Sequence, residues 1–236
     1  MKKKLTAVIL AAGKGSRFGG KTPKTFLTLN GKPIFYYSIY SFYKIEEVDS
    51  IYLVVSNDML EYSKILQKKY LNKIEKFQGI ITGGKERSDS VFNALKSLSS
   101  NTEYIALHDA ARPFIKPKLI IDIFNEALKV GGASCGMPPI DTIKSLDKDR
   151  IIDKHLKRDS LIAIQTPQIF KYDLLFEAYK NAINNNNIFT DDTEVFALSG
   201  NKISIINGDK DLIKITYKED LNTALKIYKG IKYLWI

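Results

Sequence analysis

Residues 5–26, LTAVILAAGKGSRFGGKTPKTF, decide the fold class of this chain. The segment begins with the apolar run LTAVIL, which predicts a buried β-strand. Gly13, Gly15 and Gly19 follow this run and indicate a tight loop directly after the strand. A Gly-rich loop at the end of a buried strand is typical of phosphate-binding α/β proteins, although close packing alone also favours glycines there.

The rest of the chain alternates short apolar runs with longer stretches of helical period. Strands are predicted at TAVILAA, SIYLVVS, EYIALHD, ASCGMPPI, LIAIQT and KISIING. Helices are predicted at PIFYYSIYSFYKI, NDMLEYSKILQKKYL, SDSVFNALKSL, PKLIIDIFNEALKV, KYDLLFEAYKNAI and KEDLNTALKIYKGI. Helix starts are expected at Asn57 and Asp58 and within 88–90, and a helix end at Gly131. This alternation predicts a three-layer α/β fold around a largely parallel sheet.

The segment 141–165 does not follow this alternation. It is charged and has no long helical stripe, so it predicts an extended hairpin that protrudes from the sheet, with its turn near 147–149. A two-stranded arm is marginally stable alone, so we expect it to pack against another surface. The sequence has no repeat and no linker that would divide it. Residues 1–236 are therefore expected to form one domain, with the arm at about 141–162.

The overall charge suggests an anionic partner. The chain has 36 Lys and Arg against 26 Asp and Glu, a net charge of +10. The lysines are scattered and the aromatics cluster in apolar runs such as FYYSIYSFY, which disfavours a nucleic-acid-binding module. One cysteine, Cys135, excludes an internal disulfide, and the N-terminal apolar run is too short for a secretion signal. We therefore expect a cytoplasmic protein that contacts neither membrane nor nucleic acid.

Several phosphate-binding loops are compatible with a glycine-rich turn. The spacing G-x-G-x-x-x-G differs from the dinucleotide fingerprint, and IYLVVSND has no acidic residue where a ribose would bind, which disfavours a dinucleotide-dependent oxidoreductase. The Walker Gly-Lys-Ser/Thr ending is also absent. Arg17 and Lys24 place two cations in the loop, and Pro23 stiffens the chain before the lysine. Two cations together with a divalent ion suit a nucleoside triphosphate.

Two further segments carry candidate ligand contacts. In GGKERSDSV, Gly83, Gly84 and Ser90 either read the edge of a base or form an ordinary glycine turn and helix cap. In EYIALHDAARPF, Asp109 and Arg112 lie at the end of a predicted buried strand, where open α/β sheets bind ligands. Asp109 is a candidate for a sugar hydroxyl or a metal, and Arg112 for a phosphate. The alternative is that these two residues pair with each other.

Histidine and lysine add two more interpretations. The chain has only two histidines, His108 and His155, which disfavours a histidine metal site, and we interpret both as structural. Lys214 lies in LIKIT, a predicted apolar strand, where a lysine is rare unless an anion meets it.

The segment TDDTE contains an acidic cluster. Asp191, Asp192 and Glu194 either bind a metal or occupy the first turn of a helix. We favour the helix, with Thr190 as its N-cap.

Seven segments of this chain occur in the order found in one enzyme family. They are LAAGKGSRFGGKTPKTFL, GGKERSDSV, LHDAARPFI, PPIDTIKSL, QTPQIF, TDDTEVF and IKITYKEDL. The chain thus resembles the 2-C-methyl-D-erythritol 4-phosphate cytidylyltransferases of the non-mevalonate isoprenoid pathway. It departs from them at Thr25, where glutamine is usual, and at Phe18, where methionine is common. The relatives that act on ribitol 5-phosphate remain an alternative, although LAAG, HDAARP and TDDTE favour the methylerythritol enzymes.

The resemblance implies a Rossmann-like nucleotidyltransferase fold and a set of site residues. The catalytic residues that it implies are Arg17, Lys24, Arg158 and Lys214. Those implied for CTP are Ala11, Ala12, Gly13, Gly15, Gly83, Gly84, Arg87 and Ser90, and those for the polyol phosphate are Asp109, Arg112, Thr142, Thr166 and Thr190. It also implies Mg²⁺, held mainly by the CTP phosphates with Asp109 as a candidate ligand. Finally, it implies a homodimer in which each arm lends Thr142 and Arg158 to the neighbouring site.

Overall fold

The computed structural model of this chain describes residues 3–13, 15, 18–19, 22–99, 101–184, 189 and 191–231. The strands in these ranges are β1 Leu5–Leu10, β2 Thr28–Leu29, β3 Lys32–Pro33, β4 Val48–Val55, β5 Phe77–Thr82, β6 Tyr104–Asp109, β7 Gly132–Met137, β8 Lys144–Leu146, β9 Ile152–His155, β10 Ala163–Ile164, β11 Gln168–Lys171 and β12 Ser204–Asn207. The helices are α1 Ile34–Tyr43, α2 Leu60–Leu66, α3 Arg87–Ser97, α4 Pro117–Val130, α5 Tyr172–Asn184, α6 Asp192–Leu198 and α7 Asp220–Ile231. Short 3₁₀ turns occupy Lys24–Phe26, Asn57–Met59 and Arg158–Ser160, and a π-helical turn at Gln67–Leu71 extends α2.

The central sheet has the order β10-β7-β11-β6-β1-β4-β5, and β12 pairs with β7. The pairs β6–β1, β1–β4, β4–β5 and β7–β12 are parallel, whereas β10 and β11 run antiparallel to their neighbours. The largely parallel sheet expected from the sequence is therefore confirmed. The sequence pattern did not predict β5 or β11. The first is only partly buried and contains Gly79, and the second has four residues.

Helices cover both faces of the sheet. Ala7 and Ile9 of β1 join a core with residues of α1, α2 and α4, whereas Val8 joins a core with residues of α3, α5 and α6. Alternate side chains of a strand point to opposite faces, so an apolar run such as LTAVIL can fill both cores at once. Ala224 of α7 and Ile34 of α1 belong to a third cluster. The three-layer arrangement is confirmed.

The helix boundaries follow local capping chemistry. Pro117 occupies the first turn of α4, and Gly131 ends that helix with a φ of 94°, as the sequence predicted. The expected start of α3 within 88–90 was wrong, because Glu86 is the N-cap and forms a capping box with Asp89. The 3₁₀ turn that begins at Asn57 leads into α2. No helix in the described part of the chain is both long enough and apolar enough to cross a lipid bilayer.

The predicted hairpin arm is present as strands β8 and β9, which pair antiparallel. Its turn is closed by Asp147, whose carboxylate accepts the N–H groups of Asp149 at 3.0 Å and Ile151 at 2.9 Å. Apolar side chains remain exposed on the arm, including Leu146 at 50% and Ile152 at 52%. Exposed apolar side chains grouped in this way are typical of a surface that packs against another protein surface.

Candidate active site

The carboxyl ends of four parallel strands lie side by side at one edge of the sheet. Leu10 at the end of β1 pairs with Val54 of β4 on one side and with Asp109 of β6 on the other. Val55 of β4 pairs in turn with Thr82 at the end of β5. The loops that follow β1, β5 and β6 therefore start next to one another, which is the arrangement in which open α/β sheets bind ligands.

Glycines bring two of these loops into close contact. A Cβ on Gly83 would lie 2.7 Å from the Ser90 hydroxyl oxygen and 2.8 Å from the Cβ of Ala12, so the backbone can approach this closely only as glycine. The N–H of Gly84 donates to the Ser90 hydroxyl at 3.0 Å, and that hydroxyl donates to the Glu86 carbonyl at 3.0 Å. The Ser90 proton is thus engaged within α3, and the main chain of 83–84 faces the first loop.

The first loop holds its lysine against the backbone. Gly15 has a φ of 61°, and a Cβ there would lie 3.8 Å from the side-chain carbons Cγ and Cδ of Lys24. The 3₁₀ turn beginning at Lys24 is anchored by Phe26, which is buried in the core. Gly13 is exposed and faces open space. Arg17, the other expected cation of this loop, lies outside the described residues.

A chain of alternating charges runs across the end of β6. The Lys214 ammonium lies 2.7 Å from one oxygen of Asp109, and the Arg87 Nε lies 3.9 Å from the other. Arg87 also makes two hydrogen bonds to Asp192, at 2.8 and 2.6 Å. Burial alone would raise the pKa of Asp109, but the charges of Lys214 and Arg87 outweigh it and lower the pKa to about 2. Asp109 is therefore ionised at any physiological pH.

Lys214 pairs with Asp109, an anion of the kind that its apolar neighbours in the sequence predicted. The segment that carries Lys214 is, however, not a strand. Residues 212–216 form no β-strand, so the strand expected at LIKIT was wrong. Two hydrogen bonds join the segment to the residues that follow β6. The N–H of Ile215 donates to the Ala111 carbonyl at 2.9 Å, and Arg112 Nη1 donates to the Leu212 carbonyl at 2.9 Å. Arg112 thus helps to position the segment that carries Lys214, and the structure shows no ion pair between Arg112 and Asp109 in the described residues.

His108 and Thr166 form a hydrogen-bonded pair beneath Asp109. His108 Nε2 lies 3.0 Å from the Arg112 carbonyl oxygen, which can only accept, so Nε2 carries the proton. Nδ1 therefore accepts from the Thr166 hydroxyl at 3.1 Å, and that hydroxyl accepts the N–H of Asp109 at 3.1 Å. Burial lowers the pKa of His108 to about 4, so the ring is neutral at pH 7. These contacts support the structural role expected for His108, whereas His155 is exposed on the arm.

The acidic segment before α6 differs in part from its prediction. Asp191 is the N-cap, because its carboxylate accepts the N–H of Thr193 at 2.8 Å. Thr190, the expected cap, lies outside the described residues. Asp192 is 0% exposed and bound to Arg87, a role that the sequence analysis missed. No local pattern separated Asp192 from the other acids of this segment, because its partner Arg87 lies 105 residues away in the chain.

The arm residues lie apart from these strand ends. Thr142 and Arg158 are both exposed, and Arg158 Nη1 donates to the Ile140 carbonyl at 3.2 Å. Arg158 lines a groove at the base of the arm, together with Ile162 and Ile205. Among the residues that the structure describes, no group of three or more His, Cys, Asp or Glu is arranged to hold a metal ion.

Comparison with known proteins finds one family. A family model described as 2-C-methyl-D-erythritol 4-phosphate cytidylyltransferase matches residues 5–229. The enzyme of that name from Clostridium kluyveri is 44% identical over 230 residues, which cover 97% of this chain and 98% of that protein. The one from Clostridium acetobutylicum is 39% identical over 223 residues, covering 94% and 96%.

Solved structures give the same result. The 4-diphosphocytidyl-2C-methyl-D-erythritol synthase from Anaerococcus prevotii superposes with a TM-score of 0.84 at 26% identity, covering 97% of each chain. The 2-C-methyl-D-erythritol 4-phosphate cytidylyltransferase from Francisella tularensis superposes with a TM-score of 0.79 at 28% identity, covering 95% of this chain and 100% of that one. The nucleotidyltransferase fold expected from the resemblance is confirmed.

Proposed function

Because the chain belongs to the 2-C-methyl-D-erythritol 4-phosphate cytidylyltransferases, a family of nucleotidyltransferases, we propose that it joins CTP to 2-C-methyl-D-erythritol 4-phosphate. The products are 4-diphosphocytidyl-2-C-methyl-D-erythritol and pyrophosphate. One observation carries the proposal: the glycine loops and the ion-paired Asp109 and Lys214 lie along a single row of strand ends. Relatives at 44% and 39% identity are named for the methylerythritol substrate, which disfavours the ribitol 5-phosphate alternative.

The reaction needs little covalent chemistry from the protein. An oxygen of the methylerythritol phosphate attacks the α-phosphorus of CTP in line and forms a new P–O bond. The bond from the α-phosphorus to the oxygen shared with the β-phosphate breaks, and pyrophosphate leaves with that electron pair. A phosphate dianion is already a nucleophile, so neither a general base nor a covalent intermediate is required. The side chains act by positioning the reactants and by stabilising charge.

On the nucleotide side, backbone and cations divide the work. The loop containing Gly13 and Gly15 presents backbone N–H groups to the triphosphate, and Lys24 and Arg17 neutralise its charge in the transition state. The main chain of 83–84 is the best candidate to read the cytosine edge, because the Ser90 hydroxyl is already engaged. The residues proposed to contact CTP are Ala11, Ala12, Gly13, Gly15, Arg17, Lys24, Gly83, Gly84 and Ser90. Arg87, which the resemblance also implies for CTP, is held by Asp192 and lies beside Asp109.

On the acceptor side, the charged groups must bring two anions together. Asp109 is ionised and accepts a hydroxyl of the polyol, while Lys214 moves its charge from Asp109 toward the attacking phosphate. Thr142 and Arg158 reach this phosphate from the arm of the neighbouring subunit in a homodimer. The exposed apolar surface of the arm supports such a contact. The residues proposed to contact the polyol phosphate are Asp109, Arg112, Thr142, Arg158, Thr166, Thr190 and Lys214.

The proposal includes Mg²⁺ bound chiefly by the nucleotide. The described residues do not form a protein-only site, so the proposed ligands are chiefly the triphosphate oxygens, with the Asp109 carboxylate as a candidate ligand. When bound there, the ion neutralises phosphate charge.

The proposal also comprises a single domain over residues 1–236 in a reducing cytoplasm, where the one buried thiol, Cys135, needs no partner.

A two-substrate assay tests the proposal. The protein is incubated with CTP and with either methylerythritol 4-phosphate or ribitol 5-phosphate, and pyrophosphate release is followed. We expect release with the first polyol phosphate, and at least ten-fold less with the second or with UTP in place of CTP. Equal release with ribitol 5-phosphate, or none with either acceptor, would overturn the assignment.

A further inference from the structure

We propose that Asp192 and Tyr179 are positioning residues that act through Arg87 on Asp109 and so set the acceptor side of the site. Asp192 is 0% exposed, although a buried carboxylate is costly unless it is paired. Its partners account for both oxygens: Oδ1 accepts from Arg87 Nη1 and from the Tyr179 hydroxyl, and Oδ2 accepts from Arg87 Nη2. The inference rests on the proposed function, since it assigns these residues to the same reaction.

The network spans five parts of the fold that are distant in sequence. Tyr179 lies on α5, Asp192 on α6 and Arg87 at the start of α3, while Asp109 ends β6. Lys214 in the 212–216 segment completes the series at 2.7 Å from Asp109. Two carboxylates and two cations alternate along it, so the network is neutral as a whole.

The geometry of Arg87 explains why its pairing with Asp192 matters. The two Nη atoms point at Asp192 in a bidentate pair, and only Nε approaches Asp109, at 3.9 Å. A bidentate pair fixes the plane of the guanidinium group as well as its position. Arg87 is thereby kept beside Asp109 without a direct hydrogen bond to it, and an Asp109 oxygen remains available to a substrate hydroxyl.

Neutralising Asp192 would release this restraint. Arg87 would then carry an unbalanced charge in a partly buried site, and the nearest carboxylate is Asp109. A direct Arg87–Asp109 pair would compete with the polyol hydroxyl and with Lys214 for the same two oxygens. The affinity for the polyol phosphate should fall. The affinity for CTP, which binds at the loops around Gly15 and Gly83, should change little.

The test compares Asp192→Asn with Asp191→Asn, a neutralisation of the neighbouring carboxylate. Asn is as good an N-cap as Asp, and Asp191 does not contact Arg87, so the control keeps the helix start and leaves the network intact. In steady-state assays we expect the KM for the polyol phosphate to rise at least ten-fold in Asp192→Asn, with the KM for CTP changed less than two-fold. The control should match the wild type in both constants.

Several outcomes would overturn the inference. A merely structural role would lower the melting temperature of Asp192→Asn and leave both KM values unchanged, or raise both equally. If Asp192→Asn does not fold, Tyr179→Phe tests the proposal, because it removes one hydrogen bond to Asp192 and keeps the ion pair with Arg87. In Tyr179→Phe, a selective rise of about three-fold in the KM for the polyol phosphate supports the proposal, and an unchanged KM refutes it.

A crystal structure of Asp192→Asn gives a readout that does not depend on the reaction. Arg87 hydrogen-bonded to Asp109 in that structure supports the inference even if the wild type proves inactive with methylerythritol 4-phosphate. Arg87 unmoved from position 192 refutes it.

Discussion

Lowering the pH should destabilise this protein through one residue, His108. Burial holds the pKa of the folded ring at about 4, below its ordinary value of 6.5. Between these two values the unfolded chain binds a proton that the folded chain does not bind. The free energy of unfolding therefore keeps its full His108 contribution above pH 6.5 and loses it as the pH falls toward 4.

The size of the effect follows from the same two values. Each pH unit between them removes up to about 1.4 kcal/mol, so the free energy of unfolding should fall by about 2 kcal/mol between pH 7 and pH 5. Urea unfolding followed by circular dichroism, at half-unit steps across that interval, measures it directly. A constant dependence of this free energy on urea concentration would show that the unfolding reaction itself does not change.

The two histidines of the chain provide a matched pair of variants. His155 is exposed on the arm, so His155→Gln should keep the full pH dependence of the wild type. His108→Gln removes the buried imidazole and should flatten it, whatever its own stability. A wild-type loss of less than about 0.5 kcal/mol over this interval would refute the reasoning, as would an undiminished slope in His108→Gln.

Three further predictions concern the proposed catalytic cations. Lys24→Ala should lower kcat by roughly 10²-fold, the scale of losing one preorganised charge-stabilising contact, with an unchanged melting temperature. The control is Lys64→Ala, which removes a lysine from an exposed surface ion pair. Near-normal turnover in Lys24→Ala would contradict its proposed role. Arg158→Ala should raise the KM for the polyol phosphate more than that for CTP, whereas Arg150→Ala at the arm turn should change neither. Mixing the Lys24→Ala and Arg158→Ala proteins should restore roughly a quarter of wild-type activity. Half of randomly mixed dimers contain one subunit of each kind, and each of these dimers has one intact site out of two. No recovery after subunit exchange would place Arg158 in its own subunit's site.

Local patterns in the sequence were enough for the frame of this molecule. The run at 5–10 gave β1, the charged segment at 141–165 gave the hairpin, and Gly131 gave the end of α4. Each of these features depends on neighbours in the chain, so periodicity and turn chemistry reach it. Asp109 was also placed at the end of a buried strand, because the strand itself was evident.

Contacts between distant segments were beyond such patterns. Nothing near Asp192 in the sequence names Arg87 as its partner, and they lie 105 residues apart. Lys214 shows a limit of a different kind, since its apolar neighbours required an anion but suggested a strand. Leu212 and Ile215 are buried and Ile213 is half-buried because the segment packs into the fold, not because it pairs in the sheet. The burial of Leu212 and Ile215 fits the apolar character of the segment, whereas Lys214 is exposed and the expected strand pairing is not formed.

The paired strand ends also restrict where this chain can gain or lose residues. Asp109 and Leu10 are neighbours in register, and successive side chains of a strand point to opposite faces. One residue inserted within β6 would turn the Asp109 carboxylate toward the other layer of helices and away from Lys214. The turn of the arm at 147–151 joins two strands of a separate two-stranded sheet, so a change in its length does not alter the register of β6. We therefore expect length variation to be tolerated at the tip of that hairpin, and only replacement of one residue by another in the interior of β6.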